Sequence, residues 1–140
     1  LTLVQTLGIT GAVVVTTPQQ VALADARKGI AMFRDPKINV PVLGIVDNMA
    51  WFTPELHPEE RYYLFGHDEA VDALAAQYEV PVLARIPLVA SVGEHSDSGR
   101  PIVTEPTASA QAFMHLAHEV TEAVDRRNAD LPPTQSVRMK

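Results

Sequence analysis

The 140 residues predict an α/β fold, a parallel sheet with helices on its faces. Three observations carry that prediction. Residues 11–16, 41–47 and 80–86 are almost continuously apolar, the pattern of strands covered on both sides rather than one. Between and after these runs, apolar residues recur at helical spacing. Strands and helices also alternate along the chain, which implies right-handed crossovers between parallel strands.

Each element has its own local signal. Residues 1–7 read as the tail of a helix stopped by Gly8, because glycine accepts the left-handed geometry of a helix end. Residues 11–16 form the first strand. Thr17 then suits an N-cap, Pro18 the first helical position and Gln20 the reciprocal residue of a capping box. Leu23, Ala26, Ile30 and Phe33 give the helix that follows a buried stripe, and Asp35-Pro36 ends it near Arg34. Residues 41–47 form the second strand, which runs straight into Asn48. Residues 51–66 are the longest irregular stretch, with Pro54, Pro58, Glu59, Glu60 and Arg61, and loops of this length are functional or mobile. Tyr62 to Phe65 can add a short strand at its end. Val71, Leu74, Ala75 and Tyr78 mark a third helix. The third strand, 80–86, stops at Pro87. A short helix over 88–98 ends at Gly99. Pro106-Thr107 opens the last helix, with Phe113, Leu116, Ala117, Val120 and Val124 as its stripe. One domain over 1–129 and a polar tail over 130–140, with Pro132-Pro133, complete the organisation.

Composition narrows the partners. The formal charge of −6 argues against nucleic acid or an anionic membrane, since both need a positive surface. Cysteine is absent, which excludes disulfides and thiolate metal sites in this chain and fits a reducing compartment. No apolar run approaches the ~20 residues that span a bilayer. Residues 1–7 have neither the basic flank nor the cleavage site of a signal peptide. The expectation is a cytoplasmic protein.

The candidate site lies at the carboxyl ends of the strands, where open α/β sheets bind ligands. Asn48 carries a donor and an acceptor and can read a nucleotide base edge; it can equally cap the strand or its turn. Pro87 and Leu88, after the third strand, border the same sheet end or simply terminate the strand. Thr16, Thr17 and Gln20 lie there too, with helix capping sufficient for the latter two. Asp25 suits a solvated or intersubunit role as well as catalysis. Arg100, between Gly99 and Pro101, can reach a phosphate or sit on the surface. His115 and His118 have the spacing of shared metal ligands but no third ligand near in sequence, so they read as a wet helix face. No serine sits in a nucleophile-elbow sequence.

Four blocks in unbroken order carry a family resemblance. They are 11–25, with its Thr16-Thr17-Pro18-Gln19; 40–49, ending Asp47-Asn48-Met49; Ile86-Pro87-Leu88; and Ser98-Gly99-Arg100-Pro101-Ile102-Val103. Over roughly residues 3–120 the chain resembles the carboxyl-terminal half of the Mrp/ApbC proteins, P-loop ATPases related to MinD and ParA and implicated in carrying iron–sulfur clusters. The resemblance implies the C-terminal half of a MinD-like P-loop NTPase fold. It implies ATP and magnesium as cofactors of an intact, homodimeric ATPase with iron–sulfur client proteins. It places nucleotide-binding residues at Asn48, Met49, Pro87 and Leu88, with Asn48 reading adenine and the Pro87-Leu88 loop packing round the base through backbone groups.

Two departures qualify it. No Gly-Lys-Ser or Gly-Lys-Thr occurs, and Lys28-Gly29 has the wrong order, so the phosphate cradle and the magnesium aspartate are missing. The chain therefore reads as the carboxyl-terminal portion of a longer ATPase, with no catalytic residue of its own and no activity alone. Where many members of the family place a Cys-x-x-Cys pair, residues 51–60 have no sulfur, so an iron–sulfur cluster in this chain is doubtful. His57 is the one histidine there, and Glu55, Glu59 and Glu60 are hard donors suited to magnesium or calcium. Two other readings stand beside this one. A stand-alone α/β interaction module would bind no nucleotide. A MinD/ParA-type partitioning ATPase would favour a basic amphipathic terminus, and Arg138 and Lys140 here lack an apolar stripe.

Overall fold

The computed structural model of the chain describes residues 2–136. The first element is helix α1, Thr2–Thr6. Strand β1, Ala12–Thr16, leads into α2, Gln20–Arg34, and β2, Val42–Phe52, into α3, Asp68–Tyr78. Strand β3, Val82–Leu88, is followed by α4, Ser91–Asp97, a 3-10 turn at Ile102–Thr104, and α5, Ala108–Asp130. The three strands are parallel in the order β1-β2-β3. Arg138 and Lys140 lie outside the described residues.

Successive side chains of a strand point to opposite faces, and β2 uses both for burial. Ile45 enters a cluster with Leu23, Ala26 and Ile30 of α2 and Val71, Leu74 and Ala75 of α3. Its neighbour Val46 enters the opposite cluster with Ala84 and Ile86 of β3, against Phe113 and Leu116 of α5. The sheet is therefore sandwiched, with α2 and α3 on one side and α5 on the other. This explains why β2 reads as a continuous apolar run. Gly44 completes the fit. A Cβ there would sit 2.8 Å from the Pro81 carbonyl oxygen, so only glycine lets β2 approach the segment that opens β3.

Several expectations need correcting. The capping box at α2 does not form. The first helical bond runs from Leu23 N–H to the Gln19 carbonyl, which makes Gln19 the N-cap, with no side-chain cap. Pro18 pushes Thr17 towards extended backbone, and the helix begins beyond both. Thr107 of α5, by contrast, does cap, its hydroxyl accepting from Ala110 N–H at 3.1 Å. The third strand includes Pro87 instead of stopping before it. Among the described strands β3 pairs only with β2, and an edge strand tolerates a residue without an N–H. β2 likewise runs on to Phe52 instead of ending at Asp47. Of residues 62–65, only Tyr62 pairs, in an antiparallel bridge with Phe52. On α5, Ala117 of the expected stripe is exposed, while Ser109, Ala110, Ala123 and Arg127 are buried.

Beyond α5 the chain stays docked. Arg127 donates to the Pro132 carbonyl at 2.8 Å and to Thr134 Oγ1 at 2.5 Å, and the Thr134 carbonyl backs directly onto Gly8. That contact lies at the amino end of the sheet, away from the candidate site.

Candidate functional site

The carboxyl ends of β2 and β3 do not run evenly. Asn48 pairs with Ile86, and the next pair is Phe52 with Leu88, so β2 spends four residues where β3 spends two. Met49 absorbs the excess with φ of 52°, a left-handed conformation that costs a non-glycine residue about 1–3 kcal/mol. Bulges of this kind re-aim side chains and recur beside active sites. Asn48 is thus part of a bulged strand, not a cap following one. It is half-buried, as is Met49.

This register sets Asn48 and Met49 of β2 beside the Ile86-Pro87-Leu88 segment of β3. Their surroundings differ, however. Asn48 lines an open groove of about 530 Å³ with Val15, Thr16, Ala22, Asp25 and Phe33, on the β1–α2 side. Pro87 is buried, and its carbonyl accepts from Ser109 Oγ at 2.9 Å. The Leu88 carbonyl accepts from Thr53 N–H at 3.1 Å. Both backbone acceptors of that segment already hold an intramolecular partner. A separate cavity of about 370 Å³ opens next to them, lined by Thr53, Pro54, Val89, Pro106 and Gln111.

The remaining candidates sort by surroundings. Thr16 is buried and donates to the Thr17 carbonyl at 3.2 Å, while Thr17 Oγ1 is buried without a partner. Asp25 pairs in solvent with Lys28 at 3.1 Å, a contact worth little on an exposed helix face. Arg100 reaches Ser98 Oγ at 3.4 Å on the surface. His115 and His118 are exposed on α5.

Among the described residues, one group brings metal-ligating atoms within 4.8 Å of one another, His57, Glu59 and Glu60, all exposed. Its oxygen and imidazole donors are unsuited to a sulfide cluster, which thiolates hold. The iron–sulfur cargo therefore does not fit this chain's own residues. The purified chain is expected to stay colourless after anaerobic reconstitution with iron and sulfide. A stoichiometric cluster absorbance band that disappears in His57→Ala would overturn that expectation.

The sheet thus carries three parallel strands, flanking helices and a bulged Asn at its carboxyl end. The family model described as ParA, NUBPL iron-transfer P-loop NTPase, matches residues 1–121. The chain belongs to this family. Among relatives of the NUBPL-type NTPase, the iron-sulfur cluster carrier protein of Aquifex aeolicus is 42% identical over 129 residues, covering 91% of this chain and 34% of the relative. The mouse iron-sulfur cluster transfer protein NUBPL is 45% identical over 119 residues, covering 83% and 36%. The chain thus spans about a third of the length of these relatives.

Solved structures agree on the fold. The cell division ATPase MinD of Pyrococcus furiosus superposes with a TM-score of 0.62 at 27% identity, over 81% of this chain and 43% of that one. A nucleotide-binding protein from Archaeoglobus fulgidus, solved with ADP, gives a TM-score of 0.56 at 38% identity, over 70% and 39%. The fold is therefore part of a MinD-type P-loop NTPase, and the missing phosphate loop is consistent with that partial coverage.

One functional-looking cluster escaped the reading of the sequence. Asp47, Asp68 and Asp72 converge on Arg85 behind the bulge. The only local signal was an aspartate inside an otherwise apolar strand.

Proposed function

We propose that this chain supplies the base-side wall of the nucleotide site in an ATP-binding iron–sulfur cluster carrier. The observation that carries the reading is the bulge that sets Asn48 and Met49 beside Ile86-Pro87-Leu88 at the carboxyl end of the sheet. An Asn side chain there offers both hydrogen-bonding partners that an adenine edge needs. Pro87 is buried and neither it nor Leu88 lines the groove of Asn48, so Asn48 carries the base recognition.

The phosphates and magnesium belong to groups this chain does not contain. Magnesium, held with the phosphates, would neutralise the charge that develops on phosphoryl transfer. Binding and hydrolysis of ATP, a homodimeric state and iron–sulfur clients are assigned by this reading to the longer protein, the clients in keeping with the names its relatives carry. Among the described residues no helix is long and apolar enough to cross a membrane.

Substitution in the intact protein tests the wall. Asn48→Ala should weaken ATP binding while leaving inorganic tripolyphosphate binding nearly unchanged. Losing base hydrogen bonds in a desolvated site costs about 1–3 kcal/mol, or roughly 5- to 150-fold in affinity. Wild-type affinities that are equal for ATP and GTP, and unaltered by the substitution, would remove Asn48 from the base wall.

A further inference from the structure

Behind the bulge, on the face of the sheet that carries α2 and α3, three carboxylates share one guanidinium. Arg85 of β3 donates through Nη2 to Asp72 of α3. Its Nε lies 3.6 Å from Asp68 Oδ2 and 3.8 Å from Asp47 Oδ2, too long for a hydrogen bond to either. The buried Nε–H, both oxygens of Asp47 and one of Asp68 are left without a hydrogen-bond partner. Exposure grades outward across the cluster, with side chains of Asp47, Asp68 and Asp72 at 0%, 26% and 53%.

We propose that Asp47, Asp68, Asp72 and Arg85 form a proton-operated clasp that ties the start of α3 to the carboxyl end of β2 and β3. The chemistry follows from charge and burial. With all three carboxylates ionised, the cluster holds two negative charges in excess of its guanidinium. An ionised carboxylate that is fully buried and accepts no hydrogen bond is the costly member. Asp68 lies in the first turn of α3, where the helix dipole favours an anion. Asp72 keeps its direct bond to Arg85. Asp47 is therefore the group that takes up a proton from solvent, becoming a neutral acid and halving the excess charge.

The titration range agrees. Burial first, then repulsion from Asp68 and Asp72 against the pull of Arg85, raises Asp47 from 3.8 to about 7. A divalent cation is a poorer occupant. The guanidinium already sits among the carboxylates, and these oxygens do not converge as the His57–Glu59–Glu60 ligand atoms do.

The consequence is a clasp closed on the acid side of neutrality and loosened on the alkaline side. Asp47 has a folded-state pKa above its unfolded value, so the folded cluster binds more protons than the open one between 3.8 and about 7. The stabilisation is complete below that window, falls as pH rises through it, and is gone above it. Asp47 directly precedes Asn48, so opening the clasp acts on the strand that carries the bulge.

Amide hydrogen exchange in the intact protein reads this locally, after correction for the intrinsic pH dependence of exchange. The opening equilibrium of the amides of residues 71–75, the first of α3 with intrahelical acceptors, should rise about tenfold per pH unit between about pH 5 and 7 and then level off. In Asp47→Asn the same amides should stay protected with no such rise. Asp72→Asn, which leaves Asp47 in place, should move the plateau to lower pH. A carbon-13 titration of the Asp47 carboxyl should turn near neutrality. The clasp is refuted if Asp47→Asn keeps the wild-type pH dependence, if the Asp47 carboxyl is already ionised at about pH 5, or if magnesium or calcium alone at millimolar concentration abolishes the dependence. None of these readouts involves nucleotide, so they stand apart from the fate of the base wall.

Discussion

Titrated with ATP at micromolar concentration, the 140-residue chain on its own should give no saturable binding. A P-loop site draws much of its affinity from backbone N–H groups, a lysine and magnesium arranged round the phosphates. None of those groups is present in a sequence with no Gly-Lys-Ser or Gly-Lys-Thr. What remains is one half-buried Asn in an open groove that neither Pro87 nor Leu88 lines. Such a surface holds a base at millimolar strength at best, about a thousandfold weaker than a micromolar site, or about 4 kcal/mol. Adenosine should therefore bind the chain as well as ATP does. Isothermal titration decides the matter, and a micromolar dissociation constant for ATP would mean that the phosphate contacts have been misassigned.

The same isolated chain is expected to self-associate through β1. Among the described strands, β1 pairs with β2 alone, so its other edge offers unpaired backbone groups. Its side chains do little to block pairing. Val15 is 60% exposed, and the groove between β1 and α2 is lined by Val13, Val14, Ala22 and Phe33. A strand edge whose own residues are uncharged is a template for another strand, with Asp25 the one charge in the groove beside it. Sedimentation velocity should give a weight-average mass that climbs with concentration, and Val15→Lys should weaken the association at least about tenfold by placing a charge on that edge. A wild-type chain that stays strictly monomeric at high concentration, or a Val15→Lys variant that associates equally, would count against the edge as the cause.

These two results share an origin with the legibility of the fold. The α2 positions Leu23, Ala26 and Ile30 and the α3 positions Val71, Leu74 and Ala75 stood out by spacing alone and are the residues that meet Ile45 in the core. Element ends were harder, since they are set by competition. Gln19, not Thr17, caps α2, and Pro87 remains in β3, because an edge strand and a neighbouring turn can satisfy what local signals alone would forbid.

The site divides in the same manner. Asn48 drew attention because it ends an apolar run, and Pro87 because it follows one. Their adjacency depends on the β2–β3 register, and the Met49 bulge that exposes the end of the strand has no signature in neighbouring residues. The partners of Asp47 were equally hidden, for Asp68, Asp72 and Arg85 come from two other elements.

By itself, then, the sequence determined the order of the main strands and helices, most of the faces they bury, the absence of a phosphate loop and of thiolates, and the family to which these belong. The elements, their faces and these absences follow from residue type and short-range periodicity, whereas the family follows from the resemblance carried by four blocks in unbroken order. Tertiary structure alone decided that the Pro87 and Leu88 carbonyls are occupied, that Asn48 lies in a bulge opening towards β1 and α2, and that one guanidinium is shared by three carboxylates. Those outcomes rest on strand register and side-chain approach between segments distant in the chain, where a shift of one residue turns every side chain to the other face.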